Sequence, residues 1–257
     1  MIILLFKRKK FWTLLLLIGI ISIGSSFYAI KDVASSENRE YWSNSNDVVW
    51  EVHTSDNVIA LTFDDGPDPV YTPQVLEILR KNGVRGTFFA VGQQMEKYPE
   101  LTKLIVQRGN EIANHTYSHP SLRRIGKTKL KDELVKTRQI IQTITSSDPT
   151  LFRPPEGYYN KAIVNIAREN GYKVILWSWT QDTRDWSNPG VERIINKVLD
   201  NAKHGDIVIM HDCGGNRSQT IQALQPIIDG LKKKGLDMIT VSELLKKADN
   251  SNIVNAQ

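Results

Sequence analysis

The chain has 257 residues, 40% of them hydrophobic and 24% charged, which suits one globular domain with an appendage and excludes a fibrous or wholly disordered protein. The formal charge is +5, but Lys7, Arg8, Lys9 and Lys10 supply four of those charges, so the body is near neutral and no nucleic acid is expected as a partner. Cys213 is the only cysteine, which excludes an intrachain disulfide.

In chain order, residues 1–10 form a basic segment and residues 11–30, FWTLLLLIGIISIGSSFYAI, carry no charge. About 20 apolar residues match a bilayer core, and flanking cations stay cytoplasmic. We expect one N-terminal transmembrane helix with the remainder outside. A cleaved signal peptide is the alternative, although Phe27 spoils the small-x-small pattern before Ala29. Residues 31–55 are polar and read as a linker, and residues 248–257 as a polar tail.

Between them, short apolar runs alternate with amphipathic stretches. The runs are VIALTF (58–63), TFFAV (87–91), EIAN (111–114), KVILWSW (173–179), DIVIMH (206–211) and MITV (238–241), with a short strand near Leu151 and Phe152. Helical spacing falls near 73–82, 99–108, 128–145, 160–170, 191–202 and 218–234. The alternation predicts an α/β fold with about seven parallel strands and helices outside them. An open doubly wound sheet and a closed or nearly closed barrel both satisfy it.

Polar residues of catalytic type follow these runs. Asp64 and Asp65 end the first, and Gly66 and Pro67 then turn the chain. A surface turn with an Asp cap would read the same way. His115 and His119 are spaced i, i+4, so one helical turn would put them on a shared face. With Asp65 they make three protein donors, and three donors with an open position mark a catalytic metal site. Zinc suits such N and O donors first; cobalt, nickel or manganese are alternatives. Arg153 is placed to pair with Asp64, and Asp185 to hold the ring of His211. Trp177 and Trp179 read as core packing, whereas Trp186 is better placed for stacking on a sugar or lining an acyl pocket. Cys213 follows His211 and Asp212, with no other activating group in view. In a parallel barrel all these strand ends converge on one face.

Five segments in order, TFDDGP (62–67), HTYSHP (115–120), RPPEG (153–157), DTRDW (182–186) and IVIMHD (207–212), resemble the five motifs of the polysaccharide deacetylases, carbohydrate esterase family 4. The resemblance covers residues 57–246 and implies a distorted (β/α) barrel over a catalytic domain at 56–247. It implies that Asp64 is the general base, oriented by Arg153, and that Asp65, His115 and His119 bind the metal. It makes His211 the general acid, tethered by Asp185. Trp186 and Ile209 would line the acetyl pocket, and the Glu156 backbone N–H would stabilise the oxyanion. Many members carry an aromatic residue where this chain has Glu156, which bears on the substrate and not on the chemistry.

The expected activity is therefore hydrolysis of the N-acetyl group of N-acetylglucosamine in peptidoglycan, by a domain tethered outside a bacterial cell membrane or secreted after signal cleavage. Chitooligosaccharides and spore-cortex muramic acid are alternative substrates. A wall-glycan-binding module without catalysis, and a cyclic-imide or ureide hydrolase on the same barrel, are the competing classes. Intact acid, base and ligands disfavour the first, and the anchor disfavours the second.

Overall fold

The structure, a computed structural model, describes residues 47–248, with Arg39 and Trp42 ahead of them. The chain divides into two units at Asn46 and Asp47, and the fold is that of the second. The expected membrane helix at 11–30 and basic segment at 1–10 lie outside the described residues, as does nearly all of the polar tail. Among the described residues, no helix is long and apolar enough to cross a membrane.

The strands are β1 (Val48–Val49), β2 (Val58–Asp64), β3 (Thr87–Ala90), β4 (Glu111–Asn114), β5 (Leu151–Phe152), β6 (Lys173–Ile175), β7 (Ile207–His211) and β8 (Asp237–Ile239). The helices are α1 (Thr72–Asn82), α2 (Gly92–Lys97), α3 (Pro99–Gln107), α4 (Lys127–Thr145), α5 (Lys161–Glu169), α6 (Val191–Leu199), α7 (Ser218–Lys233) and α8 (Val241–Leu245). Seven strands run in the order β1-β6-β5-β4-β3-β2-β7, and β8 pairs with the start of β2. Every ladder is parallel. The result is a curled half-barrel, between the open and closed forms expected. Isolated bridges, Glu51↔Asp206 and Asp182↔Ile209, are what tie its two edges.

Four expectations need correction. An extra strand, β1, lies inside the segment read as linker (31–55), where buried Val48 and Val49 pair with Val174 and Ile175. The KVILWSW strand stops at Ile175, because the next residues turn away into a 3-10 segment at Trp179–Gln181. The MITV strand ends at Ile239, because Thr240 caps α8 through a reciprocal capping box with Glu243. The short helices α2 and α8 were not foreseen.

The period of two along β2 explains where the chemistry points. Ile59, Leu61 and Phe63 pack into the outer cluster with Leu76, Leu79, Ile194, Leu224 and Ile228 of the covering helices. Val58 and Ala60 face the inner cluster, with Phe89, Ala113, Leu151, Ile175 and Ile207. Thr62 and Asp64 continue that inner parity, as do Ile209 and His211 after Ile207. Helix α8 adds Val241 and Leu244 to the same inner cluster. Gly205 closes the wall: its N–H donates to Val58 C=O at 2.7 Å, and its C=O accepts from Val52 N–H at 2.9 Å. Its φ is +83°, and a Cβ there would sit 1.8 Å from the Val52 oxygen, so only glycine fits.

Candidate active site

Asp64 and His211 are register partners at the ends of β2 and β7. Adjacent parallel strands lie about 4.8 Å apart, and paired residues project to one face, so the ladder itself sets two titratable groups side by side. Arg153, one residue past β5, reaches Asp64 from across the barrel. Its Nη1 donates to Asp64 Oδ1 and to Thr62 Oγ1, each at 2.7 Å. Its Nη2 and Nε donate to the carbonyls of Leu176 (2.8 Å) and Ile175 (3.2 Å). Those carbonyls are free to accept because the chain leaves the ladder after Ile175, which gives the shortened β6 a purpose. Arg153 is fully buried, with its guanidinium carbon 4.0 Å from the Phe89 ring centroid. A buried cation so satisfied by donors' partners holds its counter-charge in one geometry.

The next residue, Asp65, has φ 77° and turns out of the strand, which separates two adjacent carboxylates. Asp65 Oδ1 lies 3.4 Å from His115 Nε2 and 3.4 Å from His119 Nε2. The spacing of the two histidines suggests a helix, but the structure corrects this. Residues 115–119 form a loop with Thr116 at φ 66° and His119 at φ 51°, and the rings meet because the loop folds back. The donor atoms of Asp65, His115 and His119 all lie within 4.8 Å of one another. Bonds of about 2.0–2.2 Å around a tetrahedral ion imply donor separations of roughly 3.3–3.5 Å, which the two Asp65–histidine distances match, so the three donors are close enough to share one divalent ion. His115 Nδ1 meets the Arg153 carbonyl at 2.7 Å, so Nδ1 carries the hydrogen and Nε2 is left as a lone-pair donor. Burial and the neighbouring His115 hold the His119 pKa below its ordinary 6.5, which favours the ligating neutral form. Burial works against the Asp65 charge, but its contact with His115, followed by the nearby His211 and His119, outweighs it and lowers the carboxyl to about 2.

His211 is held from behind. Asp185 Oδ1 pairs with its Nδ1 at 2.7 Å, and Asp185 Oδ2 accepts its backbone N–H at 2.8 Å. Thr220 Oγ1 donates to the same carboxylate at 2.7 Å. Burial opposes a charged ring, but the Asp185 hydrogen bond and charge raise the His211 pKa from 6.5 to about 9. One carboxylate is thus paired with a buried guanidinium, one imidazole is paired with a carboxylate that favours its protonated form, and both flank three metal-type donors.

A polysaccharide deacetylase family model matches residues 51–175. A peptidoglycan-N-acetylglucosamine deacetylase of Bacillus cereus is 48% identical over 199 residues, spanning 77% of this chain and 93% of that relative. This chain belongs to the polysaccharide deacetylases. Among solved structures, the Bc1960 peptidoglycan N-acetylglucosamine deacetylase, in complex with 4-naphthalen-1-yl-N-oxidanyl-benzamide, superposes with TM-score 0.76 at 32% identity. That match covers 81% of this chain and 98% of that one. BA3943, a family pseudoenzyme from Bacillus anthracis, superposes at 0.73 and 30% identity over 79% of this chain and 70% of its own. The deacetylase fold alone therefore does not decide activity; the residues do.

The remaining expected residues of this deacetylase are placed as follows. Ile209 is buried on the inner parity of β7, and its carbonyl accepts from Thr183 Oγ1 at 2.7 Å. Trp186 is 56% exposed in the turn that carries Asp185. Glu156 is exposed at φ 58°, with its carboxylate 3.8 Å from Arg123 Nε, and the Arg123 guanidinium sits 4.6 Å from the Tyr158 ring centroid. Trp179 is 80% exposed, so the expectation of core packing fails for it; Trp177 is half-buried against Gly157. Burial, followed by the Asp212 charge, pushes the Cys213 thiol up to about 11, so it is no nucleophile.

Sequence reasoning missed three supporting residues. Thr62 takes one Arg153 hydrogen bond and donates to Val208 C=O at 2.7 Å. Asn114 accepts the Thr116 N–H at 2.9 Å and donates to Tyr172 Oη at 2.8 Å. Glu133 is 1% exposed and accepts from Tyr117 and Ser118. Its signal was available: residues 130, 133, 134, 137 and 141 repeat at helical spacing, so a glutamate sits on the buried face of α4.

Proposed function

We propose that the protein is a divalent-metal-dependent N-deacetylase that hydrolyses the N-acetyl group of N-acetylglucosamine residues in bacterial peptidoglycan. As a polysaccharide deacetylase it is a hydrolase acting on carbon–nitrogen bonds. One observation carries the catalytic reading: a paired carboxylate (Asp64) and a paired imidazole (His211) stand in register beside the Asp65, His115 and His119 donors.

When bound there, a divalent ion supplies Lewis-acid polarisation of the acetyl carbonyl and lowers the pKa of water. Asp64, oriented by Arg153, takes a proton from the attacking water. The Glu156 backbone N–H donates to the oxygen on which negative charge develops. His211, protonated and fixed by Asp185, gives its proton to the departing amine nitrogen, leaving acetate and a free amino sugar. Trp186 and Ile209 line the space for the acetyl methyl. Zinc is the proposed metal, because a donor set of two imidazole nitrogens and one carboxylate oxygen suits it.

The choice of polymer is supported by the Bacillus cereus relative and by the N-terminal sequence, which would hold the domain against the wall. We place the protein in the bacterial cell membrane through residues 11–30, with the catalytic domain outside. Mass spectrometry of muropeptides digested with and without the enzyme tests the substrate. We expect loss of one acetyl group on glucosamine residues. Unchanged muropeptides together with acetate release from chitooligosaccharides would move the assignment to chitin-type oligomers. Metal binding with no acetate released from any of these glycans would favour a binding module.

A further inference from the structure

Two of the three metal donors sit on a loop that lies outside every helix and strand. Its left-handed residues, Thr116 and His119, are not glycines, so the surroundings must impose the shape. Every backbone N–H from 115 to 119 has an identifiable acceptor. His115 donates to Ala90 C=O at 3.1 Å and Thr116 to Asn114 Oδ1 at 2.9 Å. Tyr117 and Ser118 donate to one oxygen, Glu133 Oε2, at 2.9 and 2.7 Å. His119 donates to Thr116 Oγ1 at 3.1 Å. The other Glu133 oxygen accepts from Ser118 Oγ at 2.9 Å, and Lys129 Nζ stands 3.1 Å from it.

We propose that Glu133 is the positioning residue of the metal loop: its buried carboxylate fixes residues 117–118 so that His115 and His119 present Nε2 to a single ion. The inference rests on the metal reading above. From the opposite side, α2 donates Gly92 N–H to Thr116 C=O (3.0 Å) and Gln93 N–H to Tyr117 C=O (2.9 Å). A Cβ on Gly92 would lie 2.9 Å from Tyr117 Cα, so α2 abuts the loop backbone itself. The loop is clamped between an N–H pair and a carboxylate. Losing the carboxylate frees two neighbouring N–H groups, and the left-handed residues then have less to hold them. Helix α4 does not depend on Glu133 for its own packing, because Leu130, Leu134 and Ile141 fill that face.

Zinc affinity of the purified protein, measured by competition with a chromophoric chelator, reads this directly. Glu133→Ala should bind zinc about 10- to 100-fold more weakly, the range seen when outer partners of metal ligands are removed. Glu133→Gln keeps an oxygen for both N–H groups and an amide facing Ser118 Oγ, so its affinity should stay within a few-fold of wild type. If Glu133→Ala does not fold, Glu133→Asp serves: it keeps the charge, falls one methylene short of the loop, and should also bind weakly. Wild-type affinity in the folded Ala or Asp variant overturns the inference. A wild-type protein that binds no zinc overturns the metal reading instead.

Discussion

At the scale of single residues, the proposed mechanism assigns a base to Asp64, paired with Arg153, and an acid to His211, paired with Asp185. Asp64→Asn keeps an oxygen for Arg153 but cannot take a proton. Acetate release should fall about 10²- to 10⁴-fold while zinc affinity and circular dichroism stay near wild type. Near-normal turnover by this variant would remove Asp64 from the base role. The acid has its own signature. His211 has its pKa raised from 6.5 to about 9, chiefly by Asp185 working against burial. A raised histidine pKa stabilises the fold fully below about 6.5 and loses that contribution as pH rises through about 9. In the proposed mechanism the protonated form is also the active one, so activity should fall on the alkaline side. A divalent ion nearby repels the imidazolium, so the loaded enzyme's limb lies below 9. Asp185→Asn should move that limb further toward neutral pH in a kcat profile. An unshifted limb would mean that another group donates the proton.

At the scale of elements, the wall of the barrel depends on one residue without a side chain. Gly205→Ala would drive a Cβ into the Val52 carbonyl at a backbone angle that L side chains rarely adopt. We expect a loss of about 3 kcal/mol or more in denaturant unfolding, since the joint between the β1 end and β7 would have to open. A loss under about 1 kcal/mol would show that the joint is dispensable. The same scale shows what the sequence makes legible. Strands β2, β3 and β7 coincide with largely apolar runs, because a parallel strand is buried on both faces, and β4 shows as Ile112 and Ala113 between two polar residues. Asp64, His115, Arg153 and His211 were findable because they follow such runs. β1 is two residues in a polar stretch, and α2 is six residues, too short for a period to emerge. The HxxxH spacing misled because it carries no information about φ, and the loop is shaped by Asn114, just before it, and by Glu133 from α4.

At the scale of the whole molecule, the proposed anchor predicts where the protein is found. Full-length protein should fractionate with membranes and resist extraction by salt. A chain starting at residue 47 should remain soluble and retain acetate-releasing activity. Shortened protein recovered from the medium, with a new N-terminus near the end of the 11–30 segment, would instead indicate signal cleavage. The strand order has one further effect, on the sequence of events by which the chain matures. Strand β2 is flanked by β3, made soon after it, and by β7 and β8, made last. Thr62 reaches Val208 across 146 residues of chain. Strand β2 therefore has a partner on one side only until synthesis is nearly complete, and contacts so distant in sequence form slowly. A chain passing through a membrane as an extended thread would stay unfolded long enough to do so, and His211 would be the last of the reacting groups to arrive.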